Sequence, residues 1–402
     1  MRAYIEESST PIYQRIAHSL GRYLASSGMD VFTVKPKGFN ASSFQDFLSV
    51  QDGSSLYVSN GGASNIIQSR IPDRKEYFFE VFPGKLIFLH QDKILSGLNF
   101  VENILKIIAW KNIASRSFHL CIEPNDLVDL KSVGIFNAAI VPHATEIEPS
   151  DPCENFFDYN VSFVGHVVPS SYRSLFDEKR IQDFIDRALE IKCGDFAASL
   201  HDHVGYFSKS AAEILGDKED REIIRIAYSQ WLRTQLKNQS LQFRGWLLEH
   251  ADIGRLTIFG GDPAYLHGVD RDIKIDRPGI FYSPATHDLQ KTKEIFRQSR
   301  ININITSLQF DHAVVNRFHD VTMSGGLCLT EPLPGLSELT SAYDDISFRT
   351  ISDLEDRVKY FSRPENLRQR TALIKMLQKD INQNSGYPMI LKFILSAIKS
   401  LG

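Results

Sequence analysis

The stretch ININITSLQFDHAVVNRFHDVTMSGGLCLTE, residues 301–331, decides how this chain is read. Ile303 and Ile305 alternate with polar residues as in a strand, and a polar loop follows. A helix carrying Asn316, Arg317 and Asp320 comes next and stops at Ser324-Gly325-Gly326. There the strand Leu327 to Thr330 begins, with Glu331 at its carboxyl end. In open α/β sheets, ligands bind beyond the carboxyl ends of strands, where loops and helix N-termini converge. This segment therefore offers a ligand a cation, a carboxylate and backbone amides within one or two turns.

The pattern extends in both directions. Upstream, Val161 to Gly165 opens an α/β unit with a turn at Pro169, Ser170 and Ser171. The stretch from Leu175 to Glu249 is nearly all helix-forming and reads as a helical insertion at about 173–250. The α/β rhythm resumes with the strand Leu256 to Phe259 and a helical segment from His287 to Arg300. From Leu354 onward two or three helices finish the chain, the last being Met389 to Leu401.

The N-terminal part repeats the alternation. Tyr13, Ile16, Ala17, Leu20 and Leu24 recur at helical spacing, Gly28 follows, and Val31 to Val34 form a short apolar run. Further runs stand at Leu56 to Val58, Leu86 to Leu89, Phe118 to Ile122 and Ala138 to Val141. Such alternation predicts parallel sheets covered by helices on both faces. Pro149 to Asn155 is polar and acidic with two prolines, as a linker would be. The expectation is an α/β chain of two Rossmann-like domains facing a cleft, residues 1–150 and 151–385. A C-terminal helix, 386–402, is expected to pack back toward the first domain.

Composition narrows the class. A chain of 402 residues exceeds one ordinary core, which supports two domains. Acidic and basic residues are interspersed and sum to −4, so no general field draws a polyanion. Lys35, Lys37, Arg70, Arg74 and Lys75 are too mixed with acids to form a basic stripe, which argues against a nucleic-acid partner. No apolar run approaches the ~20 residues of a membrane span, and Met1 leads into a strand rather than a cleavable signal. A cytoplasmic protein is expected. The amphipathic run Ile94 to Trp110 reads as core packing. Cys121, Cys153, Cys193 and Cys328 are widely spaced, as reduced thiols rather than a metal or redox motif.

Strand ends supply the remaining candidates. Ser59-Asn60-Gly61-Gly62, Gly165-His166 and Gly260-Gly261-Asp262 combine glycine with small or polar residues, a pattern suited to a plain turn or to close approach of a phosphate. On the first domain, Glu6, Glu7, His90, Asp92 and His143 follow strands, and His90, Asp92 and His143 are the candidates for a catalytic base. His201-Asp202-His203 carries ligating atoms, but i, i+2 residues on a helix point apart, so no metal site is expected. Arg317 and Asp320 also suit a plain i, i+3 pair on a solvated helix face.

Residues 316–331 resemble the Asn-Arg-x-Phe-Asp-x-x-Ala-x-Gly-Gly signature of group-1 glycosyltransferases like the spore-maturation protein CgeB. Ser162 to Gly165 and Pro142-His143-Ala144 echo the same family in the right order. The specific part spans only about 30 residues. The resemblance implies a GT-B fold, with a nucleoside diphosphate sugar held by the second domain and an acceptor, be it glycan, protein or small molecule, held by the first. It places Asp320 at the second acid of the superfamily's Glu, seven residues, Glu pattern, the acid that holds the nucleotide ribose. The first acid falls on His312, a departure, although an imidazole still hydrogen-bonds a hydroxyl or phosphate. Arg317 offers a fork of donors for a diphosphate, with the Gly325-Gly326 amides beside it. No cofactor or metal is expected beyond the donor itself. A non-enzymatic nucleotide-sugar-binding or assembly partner, and an epimerase or hydrolase, stand as alternatives.

Overall fold

The computed structural model describes residues 1–7, 10–35, 46–60, 77–154, 156–171, 178–217, 220–260, 274–286 and 288–401. Among them the first sheet comprises β1 (Arg2–Glu6), β2 (Asp30–Val34), β3 (Leu56–Ser59), β4 (Lys85–Leu89), β5 (Ser117–Cys121) and β6 (Ala138–Ile140). Their order is β2-β1-β3-β4-β5-β6 and every pairing is parallel. The second sheet comprises β7 (Tyr159–Val164), β8 (Leu256–Phe259), β9 (Ile280–Ser283), β10 (Ser299–Asn304) and β11 (Cys328–Thr330). It runs β11-β10-β7-β8-β9, again all parallel. The chain starts in the middle of this second sheet, builds one side, then crosses over and builds the other. That reversal lies between β7 and β10, and their carboxyl ends form the crevice where such folds take ligands.

The chain divides into one unit of residues 1–146, 204–234 and 385–402, and another of residues 147–203 and 235–384. The helical stretch expected as an insertion of the second domain is therefore split. Its helices are Lys179–Gly194, His201–Leu215 and Arg221–His250. Ile223, Ile226 and Ala227 join the core of the first sheet with Trp110, Phe88 and Leu130. A buried ionic cluster adds to this. Lys93 Nζ lies 2.8 Å from Asp126 and 3.9 Å from Glu123, Gln230 donates to Asp126 at 2.9 Å, and Arg225 reaches Asp129 at 2.9 Å. Burial pulls the Lys93 pKa down, but Asp126 and Glu123 outweigh it and hold Lys93 above its ordinary value. Sequence pattern sees a run of helix here and not which sheet each turn covers.

The last helix, Tyr387–Ser400, belongs to the first unit. Its buried Tyr387, Ile390, Ile394 and Ala397 pack with Ile16, Leu20 and Leu24 of the Pro11–Ser26 helix, and Tyr387 stacks on Tyr23 at 5.7 Å. The core of the second unit comes from Val161, Phe163, Leu256, Ile258, Ile301 and Ile303, all at 1% exposure or less. Sequence reading missed β9, whose Ile280 and Tyr282 are only half-buried at a sheet edge and show no long apolar run. None of the described helices is long and apolar enough to cross a membrane. All four cysteines are free.

Candidate functional site

Gly165 and His166 follow β7, and Thr306 lies just past the end of β10. The helix Asn316–Met323 starts beside this crevice and carries Arg317 in its first turn. The Arg317 guanidinium lies over the Phe163 ring, 5.3 Å from its centroid, and Nη1 donates to Asn304 Oδ1 at 3.4 Å. A Cβ added to Gly165 would stand 3.0 Å from Arg317 Nη2, so the glycine leaves room for the guanidinium. The i, i+3 pair with Asp320 is not formed: among the described residues no carboxylate lies at ion-pair distance from Arg317.

A second guanidinium stands beside the first. Arg244, on the Arg221–His250 helix, donates through Nε to Ile305 O at 3.1 Å. Burial, then the like charge of Arg317, pulls its pKa down to about 9, which leaves it protonated at neutral pH. Burial likewise lowers Arg317, while Cys328, Asp320 and Glu331 partly restore it. Arg244 too has no carboxylate partner among the described residues. Glu331 is buried at the end of β11, and its Oε2 accepts the Thr306 amide at 2.7 Å. Burial raises the Glu331 pKa, and the charges of Lys192 and Arg244 oppose that rise. Two arginines that repel each other thus share a half-buried crevice in which Asp320 and Glu331 act on them through space, with no ion pair to either arginine among the described residues.

Arg244 escaped the sequence reading because it sits in the stretch taken as an insertion. A signal was present: Gly245 follows it inside a helix, where glycine costs about 1 kcal/mol relative to alanine. A Cβ at Gly245 would fall 1.7 Å from Val168 O, so the helix lies directly on the chain leaving β7 and brings Arg244 to the crevice. Asn316 is the first residue of the helix that carries Arg317, and its buried Oδ1 has no hydrogen-bond partner among the described residues.

The glycine turn is elsewhere. The Asn316–Met323 helix runs away from the crevice, so Ser324, Gly325 and Gly326 lie at the opposite edge of the sheet, before β11 begins. The Gly325 and Gly326 amides donate to Thr322 O and Val321 O, both at 3.0 Å, and Ser324 Oγ donates to Asp320 O at 2.7 Å. Gly325 adopts φ +85°, and a Cβ there would meet Ser150 O and Asp151 O within 2.9 Å. The turn caps a helix and seats the linker, and its amides are not available to a phosphate. The Gly165 and Gly260 amides are also engaged, to Phe259 O at 3.0 Å and Ser283 O at 3.2 Å, so they contribute close packing rather than donation. Gly261 and the Gly61-Gly62 pair lie outside the described residues.

Asp320 is buried within the helix. His312 donates to or accepts from Glu338 across 3.0 Å and lies against Gly335, a placement at the loop and helix that follow Glu331. In the first unit, His90 is removed from the candidate bases. Its ring is 4% exposed, stacks on His119 at 5.3 Å between centroids and shares a 3.1 Å hydrogen bond with it. Burial pushes its pKa well below the ordinary value. His143 is also buried, just past β6. Asp92 is half-buried and accepts from Tyr13 Oη at 2.8 Å, and it shares the carboxyl edge of the first sheet with Glu6 and Glu7 at the end of β1 and Glu123 past β5. His203 stacks flat on Phe184 and bonds its carbonyl, a structural role.

The two parallel sheets and their helices are those of the GT-B glycosyltransferases. Residues 244–380, from Arg244 through the Arg317 helix and beyond, match the family model described as glycosyl transferase-like. Sucrose-phosphate synthase from Thermosynechococcus elongatus aligns with a TM-score of 0.55 at 9% identity, covering 100% of this chain and 99% of that one. The DNA-modifying enzyme β-glucosyltransferase, solved with and without uridine diphosphoglucose, aligns at 0.54 and 11% identity, covering 100% and 99%. Anabaena HepE in complex with UDP and glucose aligns at 0.51 and 11% identity, with full coverage of both chains. No curated protein matches the chain.

Proposed function

We propose that this protein is a metal-independent glycosyltransferase, hexosyltransferase-like and of the CgeB-like group-1 type, acting in the cytoplasm on a nucleoside diphosphate sugar. The carrying observation is the pair Arg244 and Arg317, two guanidiniums at the switch point of the second sheet with no carboxylate partner among the described residues. Like charges kept together without a direct ion-pair partner suit an anion supplied by a ligand, and a diphosphate matches two planar forks. As a glycosidic bond to the diphosphate breaks, negative charge grows on the leaving group, and fixed cations in a partly desolvated crevice stabilise it. The unpartnered Asn316 Oδ1 offers an acceptor to a hydroxyl of the same ligand. Asp92 is the acceptor-side carboxylate in this reading, with Tyr13 fixing its orientation. The acceptor is a glycan, protein or small molecule rather than nucleic acid, given the mixed surface charge.

Binding is tested by titrating the full chain with UDP, GDP, dTDP, ADP and CDP, with melting temperature and calorimetry as readouts. UDP is the first probe, since β-glucosyltransferase and HepE were solved with its sugars or with UDP itself. At least one diphosphate should raise the melting temperature in wild type. Failure of all five would sink the donor assignment. Sugar release or transfer that persists in excess EDTA supports metal independence, and loss of turnover would overturn it. That measurement matters because an Asp-x-Asp spacing occurs at Asp270 and Asp272, outside the described residues.

A further inference from the structure

Three consecutive residues at the end of β10 are gripped by the three charged groups of the site. Arg317 Nη1 donates to Asn304 Oδ1, Arg244 Nε donates to Ile305 O, and the Thr306 amide donates to Glu331 Oε2. Asn304 is 1% exposed, and its own amide is fixed from the far side. Nδ2 donates to Thr330 Oγ1 at 2.9 Å, its register partner on β11, and lies 3.4 Å from Thr306 Oγ1. Because a guanidinium only donates, the amide oxygen must face Arg317, and the amide nitrogen then faces the two hydroxyls, which accept from it. A neutral acceptor orients a guanidinium without cancelling its charge; a carboxylate in the same place would pair with it and compete with any anionic ligand.

Asn302, two residues earlier on the same strand, makes the contrast. It is also buried, and its Nδ2 donates to Phe296 O at 2.9 Å and Leu327 O at 3.3 Å, while Oδ1 accepts from Ser162 Oγ at 2.9 Å. It ties neighbouring elements together and bonds no charged side chain. We infer that Asn304 is a positioning residue that holds Arg317 in place, still fully charged, for the diphosphate of the donor. This rests on the donor reading above.

The test uses the full chain, the diphosphate that wild type binds, and the variants Asn304→Asp, Asn304→Leu, Thr330→Val and Asn302→Leu. Asn304→Asp should weaken the diphosphate by about 10–100-fold and flatten the dependence of Kd on ionic strength, because one cation is neutralised internally. Asn304→Leu should weaken it by about 5–10-fold, and Thr330→Val, which removes only the hydroxyl that orients the amide, by about 2–5-fold. Asn302→Leu should lower the melting temperature as Asn304→Leu does, yet leave Kd within about twofold of wild type. Should the Leu change at position 304 prevent folding, the near-isosteric Asp and the Val variant still decide the matter. If Asn304→Asp and Thr330→Val bind as wild type does while Arg317→Ala binds weakly, the positioning role is wrong and the donor site stands. If wild type binds none of the five diphosphates, both fall.

Discussion

Two groups of buried charge in this protein look alike in composition and differ in closure. In the first unit, Lys93 and Arg225 meet Glu123, Asp126 and Asp129, and Lys93, Arg225, Asp126 and Asp129 each have an opposite charge or hydrogen-bond donor within reach. In the second unit, Arg244 and Arg317 repel each other, and Glu331, which accepts a backbone amide, and Asp320 act on them without forming an ion pair among the described residues. A closed set of charges holds a helix onto a sheet; an open set leaves positive potential unspent at a strand end. Charged residues inside a protein therefore point to a ligand only when their partners have been counted.

The largest effect should come from opening the closed cluster. Asp126→Ala leaves Lys93 buried with only Glu123 at 3.9 Å, and stability should fall by about 3–5 kcal/mol in urea titration, while diphosphate affinity stays unchanged in the protein that remains folded. Removing either member of the open pair should do the reverse. Arg317→Ala or Arg244→Ala should cost about 1.5–3 kcal/mol of diphosphate binding, roughly 10–150-fold in Kd by calorimetry, with little change in melting temperature. Large destabilisation without loss of affinity would mean that the arginines are structural after all.

A third buried charge gives an intermediate effect. Lys106 is 4% exposed, lies 5.1 Å from the Trp110 ring centroid, and has its pKa pulled down to about 8 by burial, with Glu6 opposing. The unfolded chain then binds the proton more tightly than the folded one, so stability rises as pH climbs from about 8 toward the unfolded value of 10.5. Between pH 8 and 9.5 wild type should gain about 1.6 kcal/mol relative to Lys106→Met in denaturant titrations. Equal slopes for the two proteins would show that Lys106 titrates normally. The smallest effect is reserved for His90, whose stacked partner and burial take it out of the chemistry. His90→Phe should leave turnover within about twofold, set against a loss of about 10²-fold or more for Asp92→Asn if Asp92 is the base.

Most of the architecture was legible because strands buried on both faces leave short apolar runs that survive in one dimension. Leu256 to Phe259 was read to the residue, and the β10 and β11 readings are one or two residues out. Glu331 sits just beyond β11, and Arg317 lies in the first turn of a helix whose bounds the local pattern shows. The Gly325-Gly326 turn misled because adjacency in sequence suggested adjacency in space, whereas a helix of eight residues carries its two ends to opposite edges of the sheet. Arg244 was hidden in a helix whose partner surface a linear pattern does not name.

The sequence by itself determined the two parallel α/β sheets and the helix that carries Arg317, because periodicity and strand-end chemistry are local properties. Only the tertiary structure decided that Arg244 stands beside Arg317, that the glycine amides are spent on a helix cap, and that His90 is stacked in a core. Each of these depends on which distant groups share a few ångströms, and hydrogen-bond and charge compensation are settled at that range.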